Sequence, residues 1–210
     1  MLSFLNNDII KLLLFINLII TLVFLLTYLI YKLIHPYLLK LESLTDLLKH
    51  TKFPDRSVKI KGKVTKVIDG DTVKFSYKPL FGEYGKELTL RLMGIDAPEI
   101  AFRNKPGQPL GDISKKFVEE KCLNKIVKVN FVDIDRYNRI VANIFVKKES
   151  LSVLLVRNGL AFVYRGIGKF DNLKDKLVYE ETLAKSKKIG IWKIKMEYPG
   201  EFRKENVAIV

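Results

Sequence analysis

Two short acidic clusters carry the residue types that could bind a metal ion and move a proton. They are Asp69–Asp71 and Asp96–Glu99, and a single arginine, Arg91, stands just before the second cluster. Carboxylates gathered at one place repel one another unless a cation lies between them. The clusters therefore indicate a candidate metal site.

The segment between the clusters should bring them together. Strand-like runs at Val73–Tyr77 and Leu88–Met93 flank a glycine-containing loop. If these runs pair as an antiparallel hairpin, their acidic ends meet at its open end. Asp71 and Asp96 stand at similar distances from the loop centre, so the hairpin would place them side by side.

The chemistry of such a site is limited by the few histidines and cysteines. His35 and His50 are the only histidines and both precede the clusters, while Cys122 is the only cysteine. Nuclease mechanisms that need histidine as a base or metal ligand cannot be built from residues 51–210. An internal disulfide or a cysteine metal cluster is excluded as well. Hydrolysis there would have to use carboxylates, arginines and a metal ion.

The charge of the chain favours a polyanionic partner. Lys and Arg number 37 against 23 Asp and Glu, a net charge of +14, of which residues 1–50 carry only +1. A basic domain of this kind favours nucleic acid or anionic lipid. A lysine-rich composition with no functional meaning is the alternative.

The N-terminal part contains a long apolar segment. Leu12–Ile30 has no charged residue, and as a helix it would span about 29 Å, close to the hydrocarbon thickness of a bilayer. A cleaved signal peptide is the alternative, but the run is too long and no small-x-small cleavage site follows it. We predict a short segment at residues 1–11 and a transmembrane helix at 12–31.

The residues after this helix suggest its orientation and a connector. More lysines follow the helix than precede it, which favours a single-pass protein with its C-terminal domain in the cytoplasm. An organelle membrane would redefine which side counts as inside. Leucines recur at helical spacing in residues 32–55, which predicts an amphipathic connector. It would either lie on the membrane surface or pack against the domain.

From residue 56 onwards the pattern is that of a small barrel. Five strands are predicted, at Val58–Val67, Val73–Tyr77, Leu88–Met93, Ile126–Val132 and Arg139–Val146. Gly62 predicts a bulge or a bend in the first strand. One helix falls between the third and fourth strands and two follow the fifth. This order predicts an α+β fold, a five-stranded OB-type Greek-key β-barrel with about three helices, over residues 56–195. Residues 196–210 would form a C-terminal tail.

Taken together, the motifs resemble the staphylococcal nuclease family. Val64–Val73 resembles its first motif, Leu90–Glu99 its second and Asp135–Arg139 its third. Further similarity lies in three shorter segments, Lys105–Pro109, Asn158–Tyr164 and Gly190–Trp192. The resemblance covers roughly residues 58–193 in the family's order.

This resemblance implies a Ca²⁺-dependent endonuclease that hydrolyses phosphodiester bonds of DNA or RNA. Its metal site would use Asp71, Asp96 and the backbone carbonyl of Ala97, a position where the bacterial secreted enzyme has threonine. Glu99 would activate the attacking water. The remaining residues with implied roles are Arg91 and Arg139 for gripping the phosphate, Arg136, Tyr137 and Tyr164 for contacting the substrate, and Asp69, Thr72 and Asp135 as supporting residues.

The physical chemistry of the residues agrees with those roles. Phosphodiester hydrolysis builds negative charge on the phosphorus oxygens, so the site needs positive charge aimed at them. Guanidinium groups bind phosphate bidentately and stay protonated. An oxygen-rich, histidine-free ligand set selects a hard cation, hence Ca²⁺ before Zn²⁺. Asp135 is expected to shape its turn and orient Arg139 rather than bind metal.

Two other functions remain open. The domain could be a catalytically silent nucleic-acid-binding module, or a membrane scaffold that uses the barrel for protein contacts. Both leave the set of carboxylates and arginines unexplained. The lipid bilayer is an expected partner through the N-terminal helix, and protein partners are unknown. Because membrane-anchored proteins of this domain type include some linked to mitochondria, a mitochondrial membrane is the alternative location.

Overall fold

The computed structural model of the chain describes residues 7–38, 58–77, 85–103 and 105–205. The chain divides into two compact units, residues 1–39 and 40–210, and each is described by itself. Most of the predicted connector at 32–55, and much of the loop between the second and third strands, lies outside the described residues.

The first unit is a single helix, α1 (Asn7–Leu38). Its two threonines bond back into the helix, Thr21 to the carbonyl of Asn17 at 2.8 Å and Thr27 to the carbonyl of Phe24 at 2.9 Å. These bonds satisfy the hydroxyl groups without water. With a mean hydropathy of 2.8 over its most apolar window, the helix is long and apolar enough to cross a membrane. It extends the predicted span at both ends.

The second unit is built on a barrel of five strands. In chain order the strands are β1 (Val58–Val67), β2 (Thr72–Tyr77), β3 (Leu88–Leu92), β4 (Ile95–Asp96), β5 (Ile126–Ile134), β6 (Ile140–Val146), β7 (Glu149–Ser150) and β8 (Phe162–Val163). The barrel has the order β3-β2-β1-β5-β6, and a parallel pairing of β3 with β6 closes it. The predicted five-stranded OB-type barrel is thereby confirmed.

The register of β3 decides what lies near the acidic clusters. Arg91 on β3 pairs with Thr72 on one side and with Val141 on the other. Asp71 directly precedes Thr72, and Arg139 stands two residues before Val141. The closure of the barrel thus draws three distant parts of the sequence towards one place.

The interior of the barrel is apolar and tightly packed. Phe75 and Phe131 meet edge to face with ring centroids 6.2 Å apart, and the largest side chains around them, including Leu90, Leu92 and Ile144, are fully buried. Each such side chain contributes roughly 1.5–3 kcal/mol through the hydrophobic effect. The strands that carry the acidic clusters therefore belong to a rigid framework.

Four α-helices and a short 3₁₀ helix complete the second unit within the described residues. They are α2 (Gly111–Cys122), α3 (Leu151–Arg157), α4 (Lys174–Ser186), the 3₁₀ helix (Gly190–Lys193) and α5 (Pro199–Glu205). Helices α2, α3 and α4 correspond to the three predicted helices, one between the third and fourth predicted strands and two after the fifth. Helix α5 lies in the segment that the sequence analysis treats as a tail.

Of the bulge or bend predicted at Gly62, the bulge is wrong. Gly62 pairs regularly with Tyr77 and Val127, and the register shift of β1 falls between Val64 and Lys66. The reason for glycine is space, since a Cβ at this position would overlap the Phe75 ring and the Ser76 carbonyl.

Candidate functional site

The first acidic cluster forms the tight turn between β1 and β2. The amide of Ile68 donates to the carbonyl of Thr72 at 2.9 Å, and the amide of Asp71 donates to Asp69 Oδ1 at 3.0 Å. A Cβ at Gly70 would lie only 2.7 Å from the Cβ of Ala97. The turn can therefore press directly against the second acidic cluster because its central residue has no side chain.

Arg91 joins the two clusters. Its guanidinium makes an ion pair with Asp71, and its Nη2 donates to Asp96 Oδ1 at 2.7 Å. The other oxygen of Asp71, Oδ2, accepts a hydrogen bond from the amide of Ala97 at 3.0 Å. Both carboxylates are buried, Asp71 at 5% exposure and Asp96 at 0%. The predicted side-by-side arrangement of Asp71 and Asp96 is what the structure has.

The charges of this cluster stabilise one another. Burial alone would raise the pKa of Asp71, but the charge of Arg91 and the hydrogen bond from Ala97 outweigh it and lower that pKa. For the nearby Asp69 the hydrogen bonds from Asp71 and Thr72 are outweighed by burial, with the charge of Asp71 adding to it, so the pKa of Asp69 is raised to about 7. Thr72 supports Asp71 with a hydrogen bond of 2.9 Å from its hydroxyl to Oδ1. Asp71 therefore stays ionised, while burial makes Asp69 hold its proton to a higher pH than an ordinary aspartate.

Glu99 follows on a loop whose backbone is held from both sides. Its amide donates to Gln108 Oε1 at 3.2 Å, and its carbonyl accepts from the amide of Gln108 at 2.8 Å. Gly111, the first residue of α2, approaches so closely that any Cβ there would overlap the Glu99 carbonyl. Burial raises the pKa of the Glu99 carboxyl, with Arg203 opposing the shift. The position of Glu99 thus depends on the loop and on α2.

Arg139 and its neighbours lie on the turn between β5 and β6. Asp135 accepts from the amides of Tyr137 and Arg139, both at 2.9 Å, and from Arg139 Nε at 2.7 Å. Burial would raise the pKa of Asp135, but these bonds outweigh it and lower that pKa. The guanidinium groups of Arg136 and Arg139 stack on the ring of Tyr137 at 5.0 and 5.4 Å. Asp135 therefore both shapes the turn and holds Arg139.

The contacts given for Tyr164 lie away from the carboxylates of the candidate site. Its amide donates to the carbonyl of Gly94 at 3.0 Å, and its side chain lines a cavity of about 380 Å³ with Phe170, Lys174 and others. In the described part of the chain, no hydrogen bond links it to Asp71, Asp96 or Glu99.

Arg203 on α5 also contacts the site carboxylates, and the sequence did not predict it. Its Nη2 lies 2.9 Å from Asp96 Oδ2, and its Nη1 makes an ion pair with Glu99. Nothing in the local pattern of a charged C-terminal segment pointed to this contact. Gln108, also missed, stands within the Lys105–Pro109 motif and could have been found from it.

The donor set fits a hard cation such as Ca²⁺. Asp71 and Asp96 offer carboxylate oxygens, and Ala97 follows directly with its backbone carbonyl. Among the described residues, no group of three or more His, Cys, Asp or Glu side chains is arranged to hold a metal ion. With two carboxylates from the protein, Ca²⁺ would take its remaining oxygen ligands from water and a substrate phosphate. Affinity without substrate should then be modest.

A family match and several individual relatives are found for this chain among known proteins. Residues 89–194 match the family of staphylococcal nuclease homologues, a range that begins after Asp71 and ends before α5. A probable endonuclease of Komagataella phaffii is 33% identical over 174 residues, covering 71% of this chain and 76% of the relative. One from Scheffersomyces stipitis is 31% identical, covering 85% and 86%. One from Saccharomyces cerevisiae is 41% identical, covering 56% of this chain and 46% of the relative.

Proposed function

The chain belongs to the family of staphylococcal nuclease homologues, and we propose that it is a Ca²⁺-dependent endonuclease of DNA or RNA. The relatives named probable endonucleases support this activity. The observation that carries the proposal is the convergence of two buried carboxylates, Asp71 and Asp96, on one guanidinium, Arg91. Burying ionised groups costs free energy unless they are paired. A cluster of this kind is typical of a site that handles charge.

The metal in this proposal is Ca²⁺. Asp71, Asp96 and the carbonyl of Ala97 would hold it. When bound, Ca²⁺ would neutralise charge on the phosphate and lower the pKa of a coordinated water. The lowered pKa of Asp71 supports this role, because a ligand carboxylate must be ionised over the working pH range.

Two arginines would bind the phosphate. Asp135 engages Nε of Arg139. Within the described residues the terminal amino groups of that guanidinium make no other hydrogen bond, and they would bind an oxygen of the substrate. Arg91 would offer the second positive charge from inside the carboxylate cluster. Because negative charge grows on the equatorial oxygens in the transition state, both arginines would bind that state more tightly than the substrate.

Glu99 would take the proton from the attacking water. Its side chain is 31% exposed, so water can reach it. Its raised pKa, caused mainly by burial, brings the carboxyl closer to the range in which a general base is effective. Arg136 and Tyr137 would contact the nucleic acid beside Arg139, and Tyr164 would pack near a nucleotide.

We also propose that α1 anchors the enzyme in a membrane. Its length and apolar surface support a single span. The excess of lysine after the span supports a cytoplasmic location for the C-terminal unit, with a mitochondrial membrane as the alternative. Imaging of a C-terminal tag identifies the membrane, and protease protection of that tag in isolated organelles shows on which side the unit lies.

The phosphate-binding role is tested with Arg139→Ala. In detergent-solubilised full-length protein with Ca²⁺, turnover of single-stranded DNA should fall by about a hundredfold or more, because charge stabilisation in the transition state is lost. The fold should survive, since the Arg139 side chain lies at the end of a turn and is 28% exposed.

Lys148→Ala is the matched control, because it removes the same charge from an exposed position on another turn. It should cleave at the rate of the unmodified protein. If Arg139→Ala also cleaves at that rate, Arg139 has no part in gripping the phosphate.

A further inference from the structure

Helix α5 returns to the candidate active site from the far end of the sequence. Arg203 Nη2 donates to Asp96 Oδ2 at 2.9 Å, and Nη1 donates to Asp96 Oδ1 at 3.2 Å. Nη1 also makes an ion pair with Glu99. Both terminal nitrogens of Arg203 are thus directed at the carboxylates of the candidate site.

The segment that leads into α5 is fixed by specific packing. Tyr198 is buried, and its ring meets Phe162 edge to face at 5.6 Å. Its hydroxyl accepts a hydrogen bond from the amide of Arg165 at 3.2 Å. Gln108 Nε2 donates to the carbonyl of Glu197 at 2.9 Å. Because Gln108 also holds the backbone of Glu99, its side chain links the C-terminal segment to the loop that carries Glu99.

Arg203 donates to the oxygens of Asp96 and Glu99 that the proposed reaction assigns to metal binding and proton transfer. Asp96 Oδ1 also accepts from Arg91, so with Arg203 in place both of its oxygens are engaged. Glu99, the proposed base, is held in an ion pair by the same guanidinium. A carboxylate bound in this way is a weaker metal ligand and a weaker base.

The net charge of this cluster also indicates that Arg203 and a divalent cation would exclude one another. Three carboxylates, on Asp71, Asp96 and Glu99, meet two guanidinium groups, on Arg91 and Arg203. If Arg203 withdrew, the group would carry two negative charges more than positive ones. A divalent cation restores neutrality at that point, whereas binding it beside Arg203 would create a repulsive pair.

A role for Arg203 as a third phosphate-binding arginine fits these contacts less well. Its terminal nitrogens donate to Asp96 and Glu99, whereas those of Arg91 contact Asp71 and Asp96. Arg203 is therefore the arginine that also engages Glu99, the proposed base, and a phosphate bound at its terminal nitrogens would have to displace that contact. Arg139 differs, because in the described part of the chain its side chain is held through Nε alone, by Asp135.

We propose that α5 is an autoinhibitory segment, in which Arg203 occupies the cation position at Asp96 and Glu99 and competes with Ca²⁺. This rests on the proposed function, since it assigns those carboxylates to metal binding and proton transfer. The helix is short, and the Arg203 side chain is 44% exposed, so its withdrawal costs little buried surface. Ca²⁺ together with nucleic acid would displace it.

The test measures Ca²⁺ binding by calorimetry on full-length protein in detergent, together with cleavage of single-stranded DNA. Arg203→Ala should lower the Kd for Ca²⁺ by about tenfold or more and raise cleavage at subsaturating Ca²⁺. A chain truncated after Tyr198 keeps that aromatic anchor and should behave in the same way. Lys204→Ala, the control, removes an equal charge from the next residue and should match the unmodified protein.

The outcomes separate this inference from the nuclease assignment. If the unmodified protein cleaves DNA with Ca²⁺ but Arg203→Ala has an equal or higher Kd, α5 does not compete with the metal and only the inference fails. If neither protein binds Ca²⁺ or cleaves, the nuclease assignment fails and the inference fails with it.

Discussion

Arg91 is the residue that holds the candidate site in one arrangement. Burial would lower its pKa, but Asp71 and Asp96 outweigh that effect, so its pKa is raised and it is charged at every working pH. Removing either carboxylate would take away one of the two negative charges that pair with the buried Arg91, which is costly in a folded protein. Substitutions at Asp71 or Asp96 would therefore mix effects on stability and catalysis. Glycines and exposed residues around the site give cleaner tests.

Gly111→Ala tests whether the placement of Glu99 matters. The new Cβ would overlap the Glu99 carbonyl, so the loop must shift. A shift of about 1 Å near reacting groups can cost up to about a hundredfold in rate. We expect a loss of about tenfold or more in DNA cleavage at temperatures where the variant stays folded, together with a lower melting temperature because the overlap is with backbone atoms. Cleavage assays and thermal unfolding measure the two effects.

Gly168→Ala is the control for this substitution. Its added Cβ would meet only the Tyr164 ring, at 3.7 Å, which is ordinary van der Waals contact. It should cleave normally. Unchanged cleavage by Gly111→Ala would mean that the reaction does not depend on where the backbone of Glu99 lies.

At the scale of elements, helices α3 and α4 are joined by an ion pair. Arg157 on α3 donates to both oxygens of Glu180 on α4, at 3.1 and 2.7 Å, and also pairs with Glu149 on β7. A bidentate pair of this kind fixes the angle between two helices as well as adding stability. It lies outside the candidate site and lets the stability of the unit be tested separately from activity.

Glu180→Gln should lower the free energy of unfolding by about 1 kcal/mol at neutral pH, since the pair is partly exposed. Arg157 lowers the pKa of Glu180 below its ordinary value of 4.5, mainly through the hydrogen bond. The folded state therefore favours the ionised carboxylate, and its contribution is complete above pH 4.5 and lost as the pH falls through the lowered pKa.

Urea unfolding at several pH values, followed by the fluorescence of Trp192, measures this dependence. The difference between the unmodified protein and Glu180→Gln should shrink steadily below pH 4.5. A difference that stays constant down to pH 3 would contradict the assigned role of the pair. DNA cleavage at neutral pH should be unchanged.

The sequence could predict the parts of the site that depend on neighbouring strands. Asp71 directly precedes β2 and Asp96 lies shortly after β3. They come together because β2 and β3 form a hairpin, and period-two patterns predict hairpins well. Arg203 could not be predicted, because its contact with Asp96 spans 107 residues and depends on how Tyr198 packs. The bulge assigned to Gly62 was wrong because a strand glycine can serve close packing as well as a bulge.

At the scale of the whole molecule, the chain joins a helix long enough to span a membrane to a unit that carries nearly all of the net charge of +14. Positive charge attracts nucleic acid over distances of about 10 Å at moderate salt. A tethered nuclease with such a surface would act on nucleic acid that reaches the membrane. Affinity for single-stranded DNA should accordingly fall as salt rises.

Calcium-dependent cleavage by the unmodified full-length protein tests the central claim most directly. Purified protein in detergent is incubated with end-labelled single-stranded DNA, first with Ca²⁺, then with excess chelator, then with Ca²⁺ restored. We predict cleavage that stops with the chelator and resumes with Ca²⁺, because in the proposed site Asp71 and Asp96 would act on a phosphate through the metal. Absence of cleavage, or cleavage that the chelator leaves unchanged, would contradict the assignment of a Ca²⁺-dependent nuclease.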